Sequence, residues 1–210
     1  INAASIKEKS SPFLKGHSRS LHQWWARRPL AACRAILFCQ LVDDPSSHPN
    51  VFIGDEAVEA ERKRLFRIVE DLVLWENSTN EEVLDAARAE IRRSCGGSLP
   101  TICDPFSGGG SIPLEAQRLG LVSYGSDLNP VAVMIGKAMV ELPPKFSDLH
   151  PIHPGPKGRQ FYRNAEGMAE DIRFYGDWMR QKAFDRIGEI YPQVKLPKEF
   201  GGGTTTVTAW

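Results

Sequence analysis

The sequence predicts an α/β fold: part of a parallel, doubly wound sheet preceded by an N-terminal helical region. Three observations predict it. A short apolar run, Leu99 to Cys103, ends in Asp104 and enters the glycine turn Gly108–Gly110. A second run, Leu121 to Ser126, ends in Asp127, 17 positions after Gly110. Between them Ile112 to Leu119 has helical spacing, which gives the strand–helix–strand order of parallel sheets. The chain has 210 residues, which suits one domain of moderate size or one and a half. Its 41% hydrophobic and 25% charged residues are ordinary for a soluble globular protein.

The elements follow in order. Ile1 to Ser20 is polar and reads as an extended arm or loop. Leu21 to Val42 has helical periodicity, with Pro29 in the first turn, where a missing N–H costs little. Leu30, Cys33, Ile36, Leu37 and Leu41 then share one face. Turn residues Asp43 to Asn50 end that helix. Glu56 to Trp75 is a second helix, with Val58, Leu65, Ile68, Leu72 and Trp75 at apolar positions. Its run Glu61 to Arg64 reads as a solvated face. Ser78 or Asn80 caps a third helix through Arg93, and Glu81 and Glu82 sit near its positive end. Cys95-Gly96-Gly97 stops it.

The first strand, its helix and the second strand come next, then a helix from Pro130 to Met139. Leu142 to Gly158 contains five prolines and reads as a loop. Asn164 to Ile190 is a long helix rich in aromatics. The tail, Gly201 to Trp210, is a glycine turn and a strand signal that runs to the last residue, so the chain reads as a fragment. No internal repeat is visible. These breaks divide the chain into residues 1–97, an arm and helical region; 98–145, a β-α-β core; and 146–210, a proline-rich loop, long helix and strand.

Lys plus Arg equals Asp plus Glu at 26 each, so a nucleic-acid partner cannot be argued from net charge, only from local patches. Cys33, Cys39, Cys95 and Cys103 show no C-x-x-C pair and no zinc spacing, so no metal site is expected. Cys33, Cys39 and Cys103, in apolar elements, read as buried reduced thiols, which suggests a cytoplasmic setting. The longest apolar stretch, Leu30 to Val42, is interrupted by Arg34 and Gln40. It is too short and polar to span a bilayer.

The two strand-end acids suggest a ligand. In doubly wound sheets ligands bind outside the carboxyl ends of strands. Gly108 and Gly110 let the backbone turn sharply and approach a ligand. Asp127 is placed to accept both hydroxyls of a ribose. A dinucleotide turn needs G-x-G-x-x-G, and here Pro113 takes the third glycine position. Asp104 would repel a pyrophosphate but suit an ammonium and a sulfonium. The pattern favours S-adenosylmethionine over NAD, in a Rossmann-like sheet.

DPFSGGGSIPLEAQRLG (Asp104 to Gly120) and YGSDLNPVAV (Tyr124 to Val133) resemble motifs I and II of amino-methylating DNA methyltransferases. The likeness is to adenine-specific DNA methylases that carry a zinc ribbon. His17 to Leu37 resembles the start of the same family. The resemblance implies a class I methyltransferase sheet with S-adenosylmethionine as cofactor. It implies that Asp104 holds the methionine amino end, Phe106 packs on the cofactor, and Gly108 and Gly110 line the methionine. Asp127 would bind ribose and Leu128 cover the adenine; Pro105, Ser107 and Asn129 complete the implied cofactor set. The N-terminal block resembles a segment that helps hold the methionine carboxylate. Ser20 and His22 are its candidates, although the usual Lys-Pro is absent; for His22 an ordinary hydrogen-bonded histidine is an equal reading.

Amino methylation also needs a loop of the type Asp/Asn/Ser-Pro-Pro-aromatic, which hydrogen-bonds the target amine and stacks on a flipped base. The only Pro-Pro, in LPPK at Leu142 to Lys145, cannot do this work. The zinc-ribbon cysteines are absent too. Both are expected beyond Trp210, so residues 1–210 are expected to bind cofactor without methylating.

The resemblance implies DNA as partner and a role in restriction or phage defence. Alternatives are an RNA or protein amine methyltransferase, and a non-catalytic nucleic-acid or partner-binding module. Lys7, Lys9, Lys15, Arg19, Arg27 and Arg28 read equally as a phosphate patch or a solvated arm. Trp24 and Trp25 read as core packing or base stacking.

Overall fold

The computed structural model describes residues 1–10 and 21–206. They form two compact units, Ile1–Leu142 and Pro143–Trp210. The described residues are mostly helical, with two small two-stranded sheets. The α/β expectation therefore survives as a single β-α-β unit, and no doubly wound sheet is present among the described residues.

In the first unit α1 (Asn2–Ser10) precedes α2 (Leu30–Leu41), α3 (Asp55–Leu72) and α4 (Glu81–Ser94). Then come β1 (Thr101–Asp104), α5 (Ser111–Arg118), β2 (Val122–Gly125) and α6 (Pro130–Gly136). Strands β1 and β2 pair in parallel from Thr101↔Val122 to Asp104↔Gly125. One core joins the helices to this unit: Leu37 and Phe38 of α2, Leu65, Val69 and Leu72 of α3, Leu84, Ala87 and Ile91 of α4, and Ala116 and Leu119 around α5.

Residues 2–10 form a helix, where an extended arm was expected; residues 11–20 lie outside the described residues. The reason lies in tertiary contact. The buried Glu8 carboxylate accepts from the N–H groups of Leu30 (3.0 Å) and Ala31 (3.2 Å), capping the next helix. That helix starts at Leu30 rather than Leu21, because Pro29 stands at its N-cap and disfavours helix in the residue before it. Ile36 is exposed instead of lying on the core face, and Arg34 is buried in its stead.

The third helix begins as expected: the Asn80 side chain accepts from Glu82 N–H, with acids in the first turn and Arg92 and Arg93 in the last. The second ends at Leu72, and Trp75 starts a separate 3₁₀ turn. Glu61 and Arg64 are more than a solvated face. With Glu90 and Arg93 they make a network in which Arg64–Glu90 (2.8 Å) and Arg93–Glu61 (2.9 Å) cross between α3 and α4, while Arg64–Glu61 and Arg93–Glu90 pair within each helix. Arg64, then Arg93, holds the Glu61 carboxyl down at about 2. The four cysteines are unpaired. Cys33 is buried, and burial pushes its thiol up to about 12. Cys39 and Cys103 are exposed, contrary to expectation; Cys103 lies on the open face of β1, with Thr101, while Ile102 and Asp104 turn inward.

α7 (Leu142–Lys145) follows without a break on the π-helical stretch Lys137–Glu141, so the loop expected over Leu142 to Gly158 begins in helix, Pro143 and Pro144 included. In the second unit α8 (Glu166–Ile187) runs on through a 3₁₀ turn to Ile190. Strands β3 (Gln193–Lys195) and β4 (Thr204–Thr206) pair antiparallel; residues 207–210, the rest of the expected terminal strand, lie outside the described residues. From Phe146 on, the stretch before α8 is non-helical, as expected, yet tightly held. Glu170 accepts from Gly158 N–H (3.0 Å) and Tyr162 Oη–H (2.9 Å) and pairs with His153 Nε2 (3.1 Å). Asp171 accepts from the N–H groups of Ile152 and His153, each at 2.9 Å.

No helix is long and apolar enough to cross a membrane, and no group of three or more His, Cys, Asp or Glu is placed to hold a metal ion, in both cases among the described residues.

Candidate functional site

Parallel pairing brings the carboxyl ends of β1 and β2 to the same end of the sheet. Asp104 closes β1, and Asp127 lies two residues past β2. Both line a pocket of about 370 Å³, together with Phe106, Ser107, Gly108 and Asn129. Thus six of the expected site residues meet on one cavity.

The turn between β1 and α5 is held from within. Asp104 Oδ1 accepts from Phe106 N–H (3.1 Å), and the Ser126 carbonyl accepts from Ser107 N–H (2.9 Å). Asp127 Oδ2 accepts from Gly108 N–H (2.8 Å), and the Ser107 carbonyl accepts from Gly110 N–H (2.7 Å). Asp127 Oδ1 accepts from Asn129 N–H at 2.9 Å. These backbone donors, Asn129 first and Gly108 next, hold the Asp127 carboxyl below the ordinary aspartate range. Two chemical consequences follow. The turn presents carboxylate oxygens, while most of its N–H groups are already used; a phosphate-binding turn needs the reverse. Each Asp127 oxygen also retains a lone pair, so the side chain that ties the turn can still accept hydroxyls.

The opposite wall comes from the N-terminal segment. Trp24, Trp25, Ala26 and Arg28 line the same pocket. The Ser111 hydroxyl donates to the Arg28 carbonyl at 3.0 Å, joining the start of α5 to the residue pair before α2. A Cβ at Gly108 would stand 3.0 Å from Trp24 Nε1, and one at Gly109 3.1 Å from Trp24 Cβ. Glycines here admit an indole of the chain itself. Of the two readings left open for these tryptophans, packing holds for Trp24. Trp25 is 87% exposed and meets Trp24 edge-on, with ring centroids 6.1 Å apart.

The remaining expected residues stand apart from the cavity. Gly110 lines a different groove, between β2 and the helical stretch after it, where its Cβ would be 2.9 Å from Met139 Cε. Its positive φ of 71° closes the turn at the N-cap of α5. Leu128 is 99% exposed, and Pro105 does not line the pocket. The His22 side chain is exposed and does not line it either; its carbonyl accepts from Arg27 Nη2 and Trp24 N–H. Ser20 lies outside the described residues. The sequence reading missed Gly109, Arg28 and the wall role of Trp24. The only signal for them was the aromatic-basic run Trp24 to Arg28 directly before an apolar helix.

Residues 1–68 match a family described as "Protein of unknown function (DUF1156)". The match contains the whole N-terminal wall of the pocket. No curated protein and no solved structure matches the chain.

Proposed function

We propose that this pocket binds S-adenosylmethionine and that the chain is the cofactor-binding part of an adenine-specific DNA amino-methyltransferase. The observation that carries the reading is the pairing of two strand-end carboxylates on one pocket whose turn amides are already occupied. Such a donor set suits a ligand with hydroxyls and positive charge and disfavours a pyrophosphate. S-adenosylmethionine fits on both counts: it carries a ribose, an ammonium and a sulfonium.

Asp127 would take the ribose hydroxyls through its remaining lone pairs, and Asp104 the ammonium. Arg28, exposed on the opposite wall, replaces Ser20 and His22 as the counter-charge for the carboxylate. Phe106, which lines the pocket beside Asp104 and is 84% exposed, supplies uncovered apolar surface for a planar adenine. When bound, the cofactor supplies a methyl group on sulfur that an amine can take directly, so no cysteine nucleophile is needed. The choice of DNA adenine as acceptor rests on the resemblance of Asp104 to Gly120 and Tyr124 to Val133 to the two motifs described above.

The test is ligand discrimination on residues 1–210. S-adenosylmethionine and S-adenosylhomocysteine should bind, while NAD and ATP at the same concentration should neither bind nor displace them. Preferential binding of NAD or ATP would refute the reading.

A further inference from the structure

The two walls of the pocket belong to segments that run straight into two packed helices. Trp24 to Arg28 leads into α2, and the glycine turn leads into α5. Inside the α2–α5 contact lies an ion pair. Arg34 Nε donates to Glu115 Oε2 at 2.5 Å, and the side chains are 1% and 0% exposed. Each partner makes a further hydrogen bond. Arg34 Nη1 donates to the Leu72 carbonyl (2.7 Å), and the other Glu115 oxygen accepts from Arg118 Nη1 (2.5 Å). Burying two charges is costly, and apolar pairs of similar volume commonly stabilise a core as well or better. What an apolar pair lacks is direction. Leucine and methionine tolerate a rotation or slip of one helix on the other; a guanidinium held by a carboxylate and a carbonyl does not.

We propose that Arg34 and Glu115 are positioning residues for the pocket: the pair fixes the register of α2 on α5 that seats Trp24 against Gly108 and Gly109. Arg34 lies six residues after Arg28, and Glu115 four after Ser111, so the pair ties α5 to α2 and the Ser111–Arg28 hydrogen bond ties α5 to the residues just before α2. The cofactor reading enters only through the ligand arm of the test.

The test compares the unaltered chain with Arg34→Lys and with the paired variant Arg34→Met/Glu115→Leu. It reads the denaturation midpoint, hydrogen exchange at the Gly108 amide, and S-adenosylhomocysteine affinity. The paired variant should keep a midpoint near that of the unaltered chain. Its Gly108 amide should exchange about tenfold faster or more, and its affinity should fall by a similar factor, as expected when a hydrogen-bonded turn loses its support. Arg34→Lys, which keeps the charge without the planar fork, should fall between. A paired variant that folds with unchanged exchange overturns the proposal. Should that variant not fold, unchanged exchange in folded Arg34→Lys overturns it. If the unaltered chain fails to bind S-adenosylhomocysteine while Gly108 exchange still responds, the cofactor reading falls and the positioning role stands.

Discussion

Adding one methyl group at Gly109 tests whether Trp24 really forms a wall of the glycine turn. Gly109 has no positive φ, so alanine suits its backbone. The new Cβ would lie 3.1 Å from Trp24 Cβ and 3.2 Å from Cγ and Cδ1. Ordinary carbon contacts lie near 3.5–4.0 Å. These atoms are the root of the side chain, which cannot swing aside as a flexible tip does. Overpacking of this kind costs about 1–3 kcal/mol. Loss of chain entropy in the unfolded state returns roughly 0.4–1 kcal/mol. Gly109→Ala should therefore destabilise by about 1–2 kcal/mol, and the penalty should shrink in a Trp24→Ala background, which removes Cγ and Cδ1 and leaves the Cβ contact alone. Urea denaturation of the two single variants and the double variant measures the coupling. Additivity within about 0.5 kcal/mol would refute the contact. Gly108→Ala is the internal control: its φ of 49° adds about 1–2 kcal/mol that no change at Trp24 can relieve.

Three further outcomes are expected. Glu8→Ala leaves the N–H groups of buried Leu30 and Ala31 without their acceptor, and should cost about 2–4 kcal/mol in the same assay; a loss under about 0.5 kcal/mol would contradict the cap. Glu170→Ala should free the stretch before α8, so that trypsin cuts at Lys157, Arg159 or Arg163 at least tenfold faster, each charged hydrogen bond holding a local opening by about 1.5–3 kcal/mol. An unchanged digestion pattern would show that other contacts hold it. The Glu61 carboxyl lies near 2 in the folded chain against 4.5 ordinarily, so its contribution to stability is complete above pH 4.5 and drains away as the pH falls toward 2. Glu61→Gln should flatten that acid slope; an unaltered slope would assign it to other carboxylates.

The parts of the fold visible in the sequence were those set by local chemistry. Asn80 before two glutamates announces a helix start, and the apolar runs ending in Asp104 and Asp127 announce the parallel pair. Lining of the pocket by Asp104, Gly108 and Asp127 follows from that layout. What escaped was set by contacts distant in sequence. Helix α1 has no strong amphipathic pattern and is seated by Glu8 reaching the N-terminus of α2, 22 residues away. Arg34 interrupts an apolar face and looks misplaced until Glu115 meets it from 81 residues further on. Gly110 looked like a ligand-lining residue because glycine serves both ligands and packing; here its neighbour is Met139. Trp24 was ambiguous for the same reason, since an indole that packs and an indole that stacks on a base have the same sequence signature.

The most direct measurement is calorimetric titration of residues 1–210 with S-adenosylhomocysteine, beside Asp127→Ala. The unaltered chain should bind with micromolar affinity. The variant loses charged hydrogen-bond acceptors worth about 1.5–3 kcal/mol and should bind about tenfold to a hundredfold more weakly. No binding by a chain that circular dichroism shows to be folded, or binding indifferent to Asp127, would contradict the account.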